Sequence, residues 1–487
     1  MNTTHAGTSP ATKTFFGHPR MLAHLFSLEV WERFSFYGMQ TILAYYMYFE
    51  VTRGGLGLDQ GLALTLVGAY GGSVYLSTIL GAWVADRLLG SERVLFYSAI
   101  MIMAGHVSLA VLPGASGLAL GLALVGIGSG GLKANATSLV GSLYSKDDER
   151  RDGGFSIFYM GINLGGFVGP LLTEWLRVEG GFHYGFGAAA VGMAIGLIQY
   201  SFVRKDFSED ARRVENPLPR QRYLTWGVVV VLAIAAIIAA FLLGWIRAGN
   251  LAAVMAGAAV LAAIAYFVVI LSSPTVTAVQ RKRTAAFIPL FLASTAFWAL
   301  YQQLFTLVAV YSEQRLDRVI FGWEMPPGWV VSMAPIFVVV LAGVFAAVWT
   351  KMGDRQPSSP AKFGLGLITI GLAYVLFLPF ADGPANSTPL LVMALILLIF
   401  TIAELLISPI GLSIATKLAP EAFRTQMVAL NFLSVSLGTT FSGILAGRYD
   451  PENETPYFAT LGITVIVLGG VLLAATPAIK RLMSGVR

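Results

Sequence analysis

The sequence of 487 residues contains no cysteine and few charged side chains. Without cysteine there is no disulfide framework, no thiol nucleophile and no thiolate metal site. Only 12% of the residues are Asp, Glu, Lys or Arg, whereas soluble domains have about 25%. Hydrophobic residues make up 56% of the chain, and the mean hydropathy is +0.72. This composition excludes an ordinary soluble domain and indicates a membrane protein.

Several functional motifs are also missing. The sequence has no His-Glu-x-x-His, no Gly-x-Ser-x-Gly and no phosphate-binding loop, which disfavours a membrane-embedded enzyme and ATP-driven transport. The first twenty residues lack an apolar core followed by a small-residue cleavage site, so we expect the first helix to insert uncleaved. A transporter driven by an ion gradient and a channel both fit these absences.

Apolar runs of twenty residues or more recur along the chain, which predicts membrane-spanning helices rather than strands. The predicted fold class is all-α polytopic, with fourteen transmembrane helices. The predicted spans are 21–49, 62–88, 94–113, 117–143, 155–176, 184–203, 224–245, 250–272, 285–311, 329–350, 361–380, 388–416, 425–447 and 456–479.

The basic residues are divided unevenly between the two sides of the predicted membrane. Roughly 24 of the 32 Lys and Arg residues fall in segments on the side of the N-terminus, and about six fall on the other side. This bias predicts that both termini are cytoplasmic. It also explains the net charge of +6 by topology, so no nucleic-acid partner is expected.

The sequence also indicates an internal repeat. Asp86-Arg87 and Asp354-Arg355 occupy the same place, after the second helix of each half, as expected for a transporter built from repeats. The dipeptides resemble a loop motif of the major facilitator superfamily. The predicted domains are a cytoplasmic tail (1–20), a six-helix bundle (21–203), a linker with two extra helices (204–284), a second six-helix bundle (285–480) and a short cytoplasmic tail (481–487).

Glu29, Glu32 and Arg33 lie inside the first apolar segment and share one helix face. A charge at mid-bilayer costs about 2.5 to 3.5 kcal/mol on insertion scales, so three charges within one turn indicate a wet cavity or mutual pairing. The alternative is a neutralised Glu29–Arg33 pair that only fixes helix packing, but that interpretation leaves Glu32 unexplained.

Depth places further charges at the same level. At 1.5 Å per residue, Glu29, Lys133 and Glu404 lie roughly 13, 15 and 20 Å from the cytoplasmic boundary. In a hydrocarbon core of about 30 Å, these depths predict a single central site. Pro409 follows Glu404 by five residues and removes a backbone donor there, which fits either gating or packing.

Two motifs resemble those of the proton-coupled oligopeptide transporter (POT) family, bacterial members in particular. One is the Glu-x-x-Glu-Arg-Phe-x-Tyr-Tyr motif, which residues 29–37 match with Phe36 in place of the first tyrosine. The other is the fifth-helix pattern that runs from Gly154 to Gly165. Lys133, Phe297-Trp298-Ala299 and the segment after Glu404 match as well. The resemblance covers essentially the whole chain, including the extra helix pair.

The resemblance implies uptake of di- and tripeptides, driven by an inward proton gradient, through alternating access between two six-helix bundles of the major facilitator fold. A short peptide is a zwitterion, so its ends need fixed charges of both signs. Arg33 and Lys133 suit the C-terminus of the peptide, and Glu404 and Asn163 suit its N-terminus and backbone. Tyr37, Tyr70 and Trp298 match aromatic cavity positions of the family.

For coupling, we expect Glu29 or Glu32 to take the proton, so that Arg33 or Lys133 is released to change partners. We also expect attraction between Lys133 and Glu404, one from each half, to help close one face until peptide competes for them.

Three residues depart from the family pattern. Gln40 and Gln302 stand where many bacterial members carry an arginine and a glutamate, which predicts an outer gate held by polar contacts and puts a proton site on the seventh helix in doubt. Asn431 stands where tryptophan is usual, so the inner cavity wall is expected to differ. Gln302 and Asn431 are still expected to contact substrate.

The alternatives are the same scaffold carrying nitrate, a drug or another small solute, and, less favoured, a channel. The expected location is the bacterial inner membrane. No cofactor or metal is expected, the partners are peptides, protons and the lipid bilayer, and one chain is expected to act as a monomer.

Overall fold

A computed structural model of the protein describes residues 14–486 except Lys146, Asp147, Glu149 and Ser208. The predicted tail at 1–20 therefore lies largely outside the described residues, as does Arg487 at the other end. Helices dominate the described part, and the six strands of two residues each form short pairs in the loops. The helices are α1 Arg20–Tyr48, α2 Gln60–Val84, α3 Ser91–Val111, α4 Gly114–Ser142, α5 Arg151–Gly180, α6 Phe182–Val203, α7 Glu209–Arg212, α8 Tyr223–Leu242, α9 Leu251–Ser272, α10 Ala278–Tyr301, α11 Leu307–Gln314, α12 Met333–Met352, α13 Ser359–Val375, α14 Leu390–Leu418, α15 Arg424–Ala446 and α16 Glu454–Leu482.

The strand pairs connect loop segments and form no larger sheet among the described residues. Two pairs are antiparallel, and the pair of β3 with β6 is parallel. The strands are β1 Thr14–Phe15 with β2 His18–Pro19, β3 Leu316–Asp317 with β6 Thr388–Pro389, and β4 Val319–Ile320 with β5 Trp323–Glu324.

Fourteen of the described helices have 17 residues or more and correspond one for one to the predicted spans. Thirteen are long and apolar enough to cross a membrane. The helix outside that set is α1, which has 29 residues and carries Glu29, Glu32 and Arg33. The all-α polytopic fold is therefore confirmed.

Sequence signals for helix starts explain several of the bounds. Asp59 precedes α2 and accepts a hydrogen bond from the backbone N–H of Leu62 at 2.9 Å, which caps an otherwise unpaired donor. Thr277 and Gln280 form a reciprocal capping box at the start of α10. The segment predicted as one helix at 285–311 is interrupted at Gln302–Thr306, between α10 and α11.

The helices pack in the same order in both sets of six. In the first set α1 packs on α5, and α3 packs on α4 and α6; in the second set α10 packs on α15, and α13 packs on α14 and α16. This equivalent pairing is what the predicted internal repeat requires. The predicted residue limits of the two bundles stay a prediction.

The two extra helices lie outside these sets. No residue of α8 is buried. Helix α9 packs against α2 and α15, one from each set, through a stripe of small side chains. The buried residues of that stripe are Ala252, Ala256, Ala259 and Ala263.

We call the two membrane faces the Arg20 face, where α1 begins, and the Tyr48 face, where it ends. Close to the Tyr48 face, hydrogen bonds join the first set of helices to the second. They run from Tyr45 Oη to Ala309 O (2.9 Å), from Gln314 Nε2 to Gln60 Oε1 (3.0 Å), from Trp329 Nε1 to Leu171 O (3.0 Å), from Ser332 Oγ to Phe167 O (3.0 Å) and from Gly328 N to Glu174 Oε1 (3.0 Å). The two halves are therefore held together on that face.

Candidate functional site

A cavity of about 390 Å³ lies between the two halves, below the closed Tyr48 face. This volume lies within the range of about 300 to 1,000 Å³ that is usual for small-molecule sites. Ten of the residues predicted from the sequence line it. They are Glu29, Arg33, Tyr37, Gln40, Lys133, Asn163, Trp298, Gln302, Glu404 and Asn431. The charges predicted to share one depth therefore share one cavity.

Three predicted site residues do not line the cavity. Glu32 is fully buried behind Arg33, and Tyr70 is 7% exposed and stacks near Phe36 with 6.5 Å between ring centroids. Pro409 lies within α14, two positions from the lining residues Ile407 and Gly411. For Tyr70 the sequence predicted a helix that reaches the cavity but a residue that does not line it, and the gating role expected of Pro409 stays a prediction.

The charges of α1 form one buried cluster. Arg33 Nε lies 2.9 Å from Glu29 Oε1 and 2.6 Å from Glu32 Oε2, and all three side chains are at most 4% exposed. Ser129 of α4 donates to Glu32 Oε1 at 3.1 Å. The cluster combines two carboxylates with one guanidinium, so the pairing of Glu29 with Arg33 alone does not describe it.

Part of the hydrogen-bonding capacity of this cluster is unused. Glu29 Oε2 and Arg33 Nη2 are buried and have no hydrogen-bond partner among the described residues. Glu29 and Arg33 both line the cavity. Leaving such groups unpaired in the interior is costly. Unused donors and acceptors beside a cavity are typical of a ligand-binding site.

Lys133 and Glu404 face the same cavity from α4 and α14 but do not pair in this structure. No ion pair within 4.0 Å joins them, although both residues are described. Glu404 instead accepts a hydrogen bond from the Tyr301 hydroxyl, and Lys133 lies beside aromatic rings. The Lys133–Glu404 contact is therefore not formed in this state, and its expected part in closing one face stays a prediction.

The two glutamines predicted as an outer gate also have separate surroundings. Gln302 donates to Thr439 Oγ1 at 3.2 Å, and Gln40 Oε1 is buried without a hydrogen-bond partner among the described residues. The outer gate predicted at these glutamines stays a prediction, and the hydrogen bonds that join the two halves near the Tyr48 face involve neither of them. Gln302 has another role in the fold, because it begins the interruption between α10 and α11.

Two asparagines of the cavity wall, Asn163 and Asn431, have side-chain amides that lie against helices of the site. Asn163 donates to the carbonyl of Tyr159 at 3.0 Å. A Cβ atom on Gly411 would lie 3.0 Å from Asn431 Oδ1, so the amide of Asn431 lies against α14. The amide groups of both residues are thereby fixed at the cavity wall.

Several aromatic residues of the cavity were not predicted from the sequence, among them Tyr75 and Tyr301. Ser294, Trp298 and Tyr301 all line the cavity at spacings of four and three residues, so helical periodicity from Trp298 would have found Tyr301. Tyr75 lies five residues after Tyr70, on a different face of α2. No local signal distinguishes between these two tyrosines.

Comparison with known proteins identifies the family. The sequence model described as "PTR2: POT family" matches residues 92–460. The chain belongs to the POT family. It is 42% identical over 97% of both chains to the uncharacterized transporter YclF of Bacillus subtilis (strain 168), and 40% identical over 98% of both chains to a di-/tripeptide transporter of Lactococcus lactis subsp. cremoris.

A solved structure agrees over the same length. The crystal structure of a mutant of peptide transporter POT in complex with alafosfalin superimposes with a TM-score of 0.92 at 44% identity, and the match covers 97% of this chain and 98% of that one. The POT fold of the chain is thereby established. Because its relatives are transporters, the chain is a transporter and not an enzyme.

Proposed function

We propose that the chain is a symporter that carries di- and tripeptides into the cell together with protons. The observation that carries this proposal is a single cavity with Arg33 and Lys133 on the first half and Glu404 on the second. A zwitterionic peptide presents opposite charges at its two ends, which such a cavity complements. The names of the similar transporters support the same substrate class.

The proposal of alternating access rests on the division of the cavity charges between the two halves: Arg33 and Lys133 on the first, Glu404 on the second. A peptide that bridges Glu404 and the cations contacts both halves, so its binding free energy depends on how far apart they lie. The Tyr48 face is closed in the described state by hydrogen bonds between the halves. We propose that these bonds break when the cavity opens to that face, which is the periplasmic face under the predicted topology.

Proton coupling is assigned to the cluster of Glu29, Glu32 and Arg33. Protonation of either carboxylate weakens its attraction for the guanidinium, and Arg33 then changes partners. Both carboxylates lie within 2.9 Å of Arg33 Nε, so the loss of one charge acts directly on the other two groups. No cofactor enters this scheme, which uses only the gradient.

Reconstitution into liposomes tests the function. Labelled dialanine is expected to accumulate when an inward proton gradient is imposed. An uncoupler and unlabelled di- or tripeptide are each expected to abolish accumulation. No uptake under any gradient would refute peptide transport and direct attention to nitrate, drugs or other small solutes. Uptake that neither saturates nor exceeds equilibrium would indicate a channel.

The proposed location is the bacterial inner membrane, with both termini in the cytoplasm and one transport path per chain. The charge bias supports the orientation. One transport path per chain is proposed because the cavity lies between the two halves of the same chain.

A further inference from the structure

The two cations of the cavity have different kinds of partner. Arg33 lies within 2.9 Å of two carboxylates. No carboxylate oxygen of the described residues lies within 4.0 Å of Lys133 Nζ. The Lys133 ammonium lies 4.9 Å from the centroid of the Phe36 ring and 4.6 Å from that of Tyr75. The residues Arg33, Phe36, Tyr75 and Lys133 all line the cavity.

Aromatic rings hold a cation without neutralising it. The face of the ring attracts the ammonium through its quadrupole, and the attraction is stronger where water is excluded. An aromatic ring does not accept a conventional hydrogen bond, so the three N–H donors of the ammonium stay available for other acceptors. Two rings on Lys133 therefore restrict where its charge can lie and leave that charge available to an anion.

Phe36 contacts both cations, because its ring centroid also lies 5.5 Å from Arg33 Cζ. The ring keeps the side chain of Lys133 next to the α1 cluster, although no ion pair ties Lys133 to it. This contact depends on the face of the ring and needs no hydroxyl. The phenylalanine at this position therefore suffices for it.

We propose that Phe36 and Tyr75 are positioning residues that hold the Lys133 ammonium for the carboxylate of the substrate, while Arg33 belongs to the proton-coupling cluster. The inference rests on the proposed function for the identity of the substrate. It assigns to Lys133 the substrate carboxylate that Arg33 and Lys133 were both expected to bind, and it gives a role to Tyr75, which was not predicted from the sequence.

A double-mutant cycle on uptake tests the proposal. Phe36→Leu is expected to raise the KM for dialanine about tenfold, as a desolvated cation–π contact would, and to change the maximal rate less than twofold. Phe36→Tyr keeps the ring, so it is expected to rescue most of the increase in KM that Phe36→Leu causes. In a Lys133→Met background, Phe36→Leu is expected to add less than twofold. An equal effect in both backgrounds would overturn the proposal, since a purely structural role does not need the lysine.

Dialanine amide, which lacks the carboxylate, tests the chemistry of recognition. Phe36→Leu is expected to weaken competition by dialanine and leave competition by the amide unchanged. Equal weakening of both competitors would contradict a role through the carboxylate.

Melting temperatures in detergent separate this inference from the proposed function. If the wild type takes up no dialanine, the proposed function is refuted. The wild type, Phe36→Leu, Lys133→Met and the double variant still test the contact between Phe36 and Lys133. Phe36→Leu is then expected to lower the melting temperature more with Lys133 present than in the Lys133→Met background. Equal decreases would refute the contact without any reference to substrate.

Discussion

The backbone N–H of Gly328 donates a hydrogen bond to Glu174 Oε1 across the boundary between the two halves, at 3.0 Å. Glu174 is fully buried, and Arg177 neutralises it through two contacts of 2.7 and 2.8 Å. A carboxylate of the first half thus binds a backbone donor of the second. The contact lies near the Tyr48 face, where the halves must separate for that face to open.

Gly328→Ala is expected to weaken this closure. A Cβ atom at that position would lie 2.6 Å from Thr41 Cγ2 and 2.8 Å from Glu174 Cδ, which is too close for unshifted neighbours. The chain has no cysteine, so Ala334→Cys, on the cavity wall, reports access alone. Labelling of this cysteine by an impermeant maleimide from the Tyr48 face is expected to rise severalfold in the Gly328→Ala variant.

The matched control is Gly343→Ala on α12, where a Cβ atom meets nothing within 4 Å. Its labelling rate is expected to equal that of the parent cysteine variant. If Gly328→Ala also leaves the rate unchanged, the Glu174–Gly328 contact does not control opening.

Glu32→Gln is expected to reduce gradient-driven dialanine uptake at least tenfold and to spare counterflow exchange. The amide keeps the shape of the side chain and can still accept the hydrogen bond that Ser129 donates at 3.1 Å, but it cannot exchange a proton. Uptake and counterflow are measured in the same liposomes. If both survive unchanged, Glu32 has no part in coupling.

The sequence predicted the fourteen helices and the depth of the charges because both depend on local composition. It did not predict which face of a helix meets the cavity. Tyr70 and Tyr75 are equally aromatic and lie on one helix, and only the packing of α2 against α4 and α15 decides that Tyr75 reaches the site. Distances across the cavity could not be predicted either, so whether Lys133 and Glu404 pair in another state stays a prediction.

A pH effect on stability is expected from Asp382, in the loop before α14. Its carboxylate accepts hydrogen bonds from the Thr455 hydroxyl at 2.6 Å and from the backbone N–H of Glu454, also at 2.6 Å, at the start of α16. These bonds hold the pKa of Asp382 below its usual value, the Thr455 hydroxyl having the largest effect. Because the folded pKa is depressed, the stabilisation is present above the unfolded pKa of about 3.9 and is lost as the pH falls through the folded value.

Asp382→Asn tests this dependence with little change of shape. Asp382 has a φ of +56°, a conformation that asparagine also tolerates. The variant is expected to melt below the wild type at pH 7, and the difference is expected to shrink below about pH 4. Melting curves in detergent at several pH values measure it. A difference that is constant over the whole range would rule out the charged form of Asp382 as its source.

Arg315 and Glu454 form a buried ion pair that joins the end of α11 to the start of α16. Arg315 Nη2 lies 3.0 Å from Glu454 Oε2, Nε lies 3.1 Å from Oε1, and both side chains are at most 5% exposed. Arg315→Met leaves Glu454 without its cation and is expected to cost about 3 to 5 kcal/mol. Replacing both partners, with Arg315→Met and Glu454→Leu, is expected to recover part of that loss because no uncompensated charge stays buried. The measurement is the melting temperature of the wild type, of Arg315→Met and of the double variant. A double variant less stable than Arg315→Met would contradict this expectation. It would mean that the remaining hydrogen bonds of Glu454, including that from Tyr449, stabilise the fold more than its buried charge destabilises it.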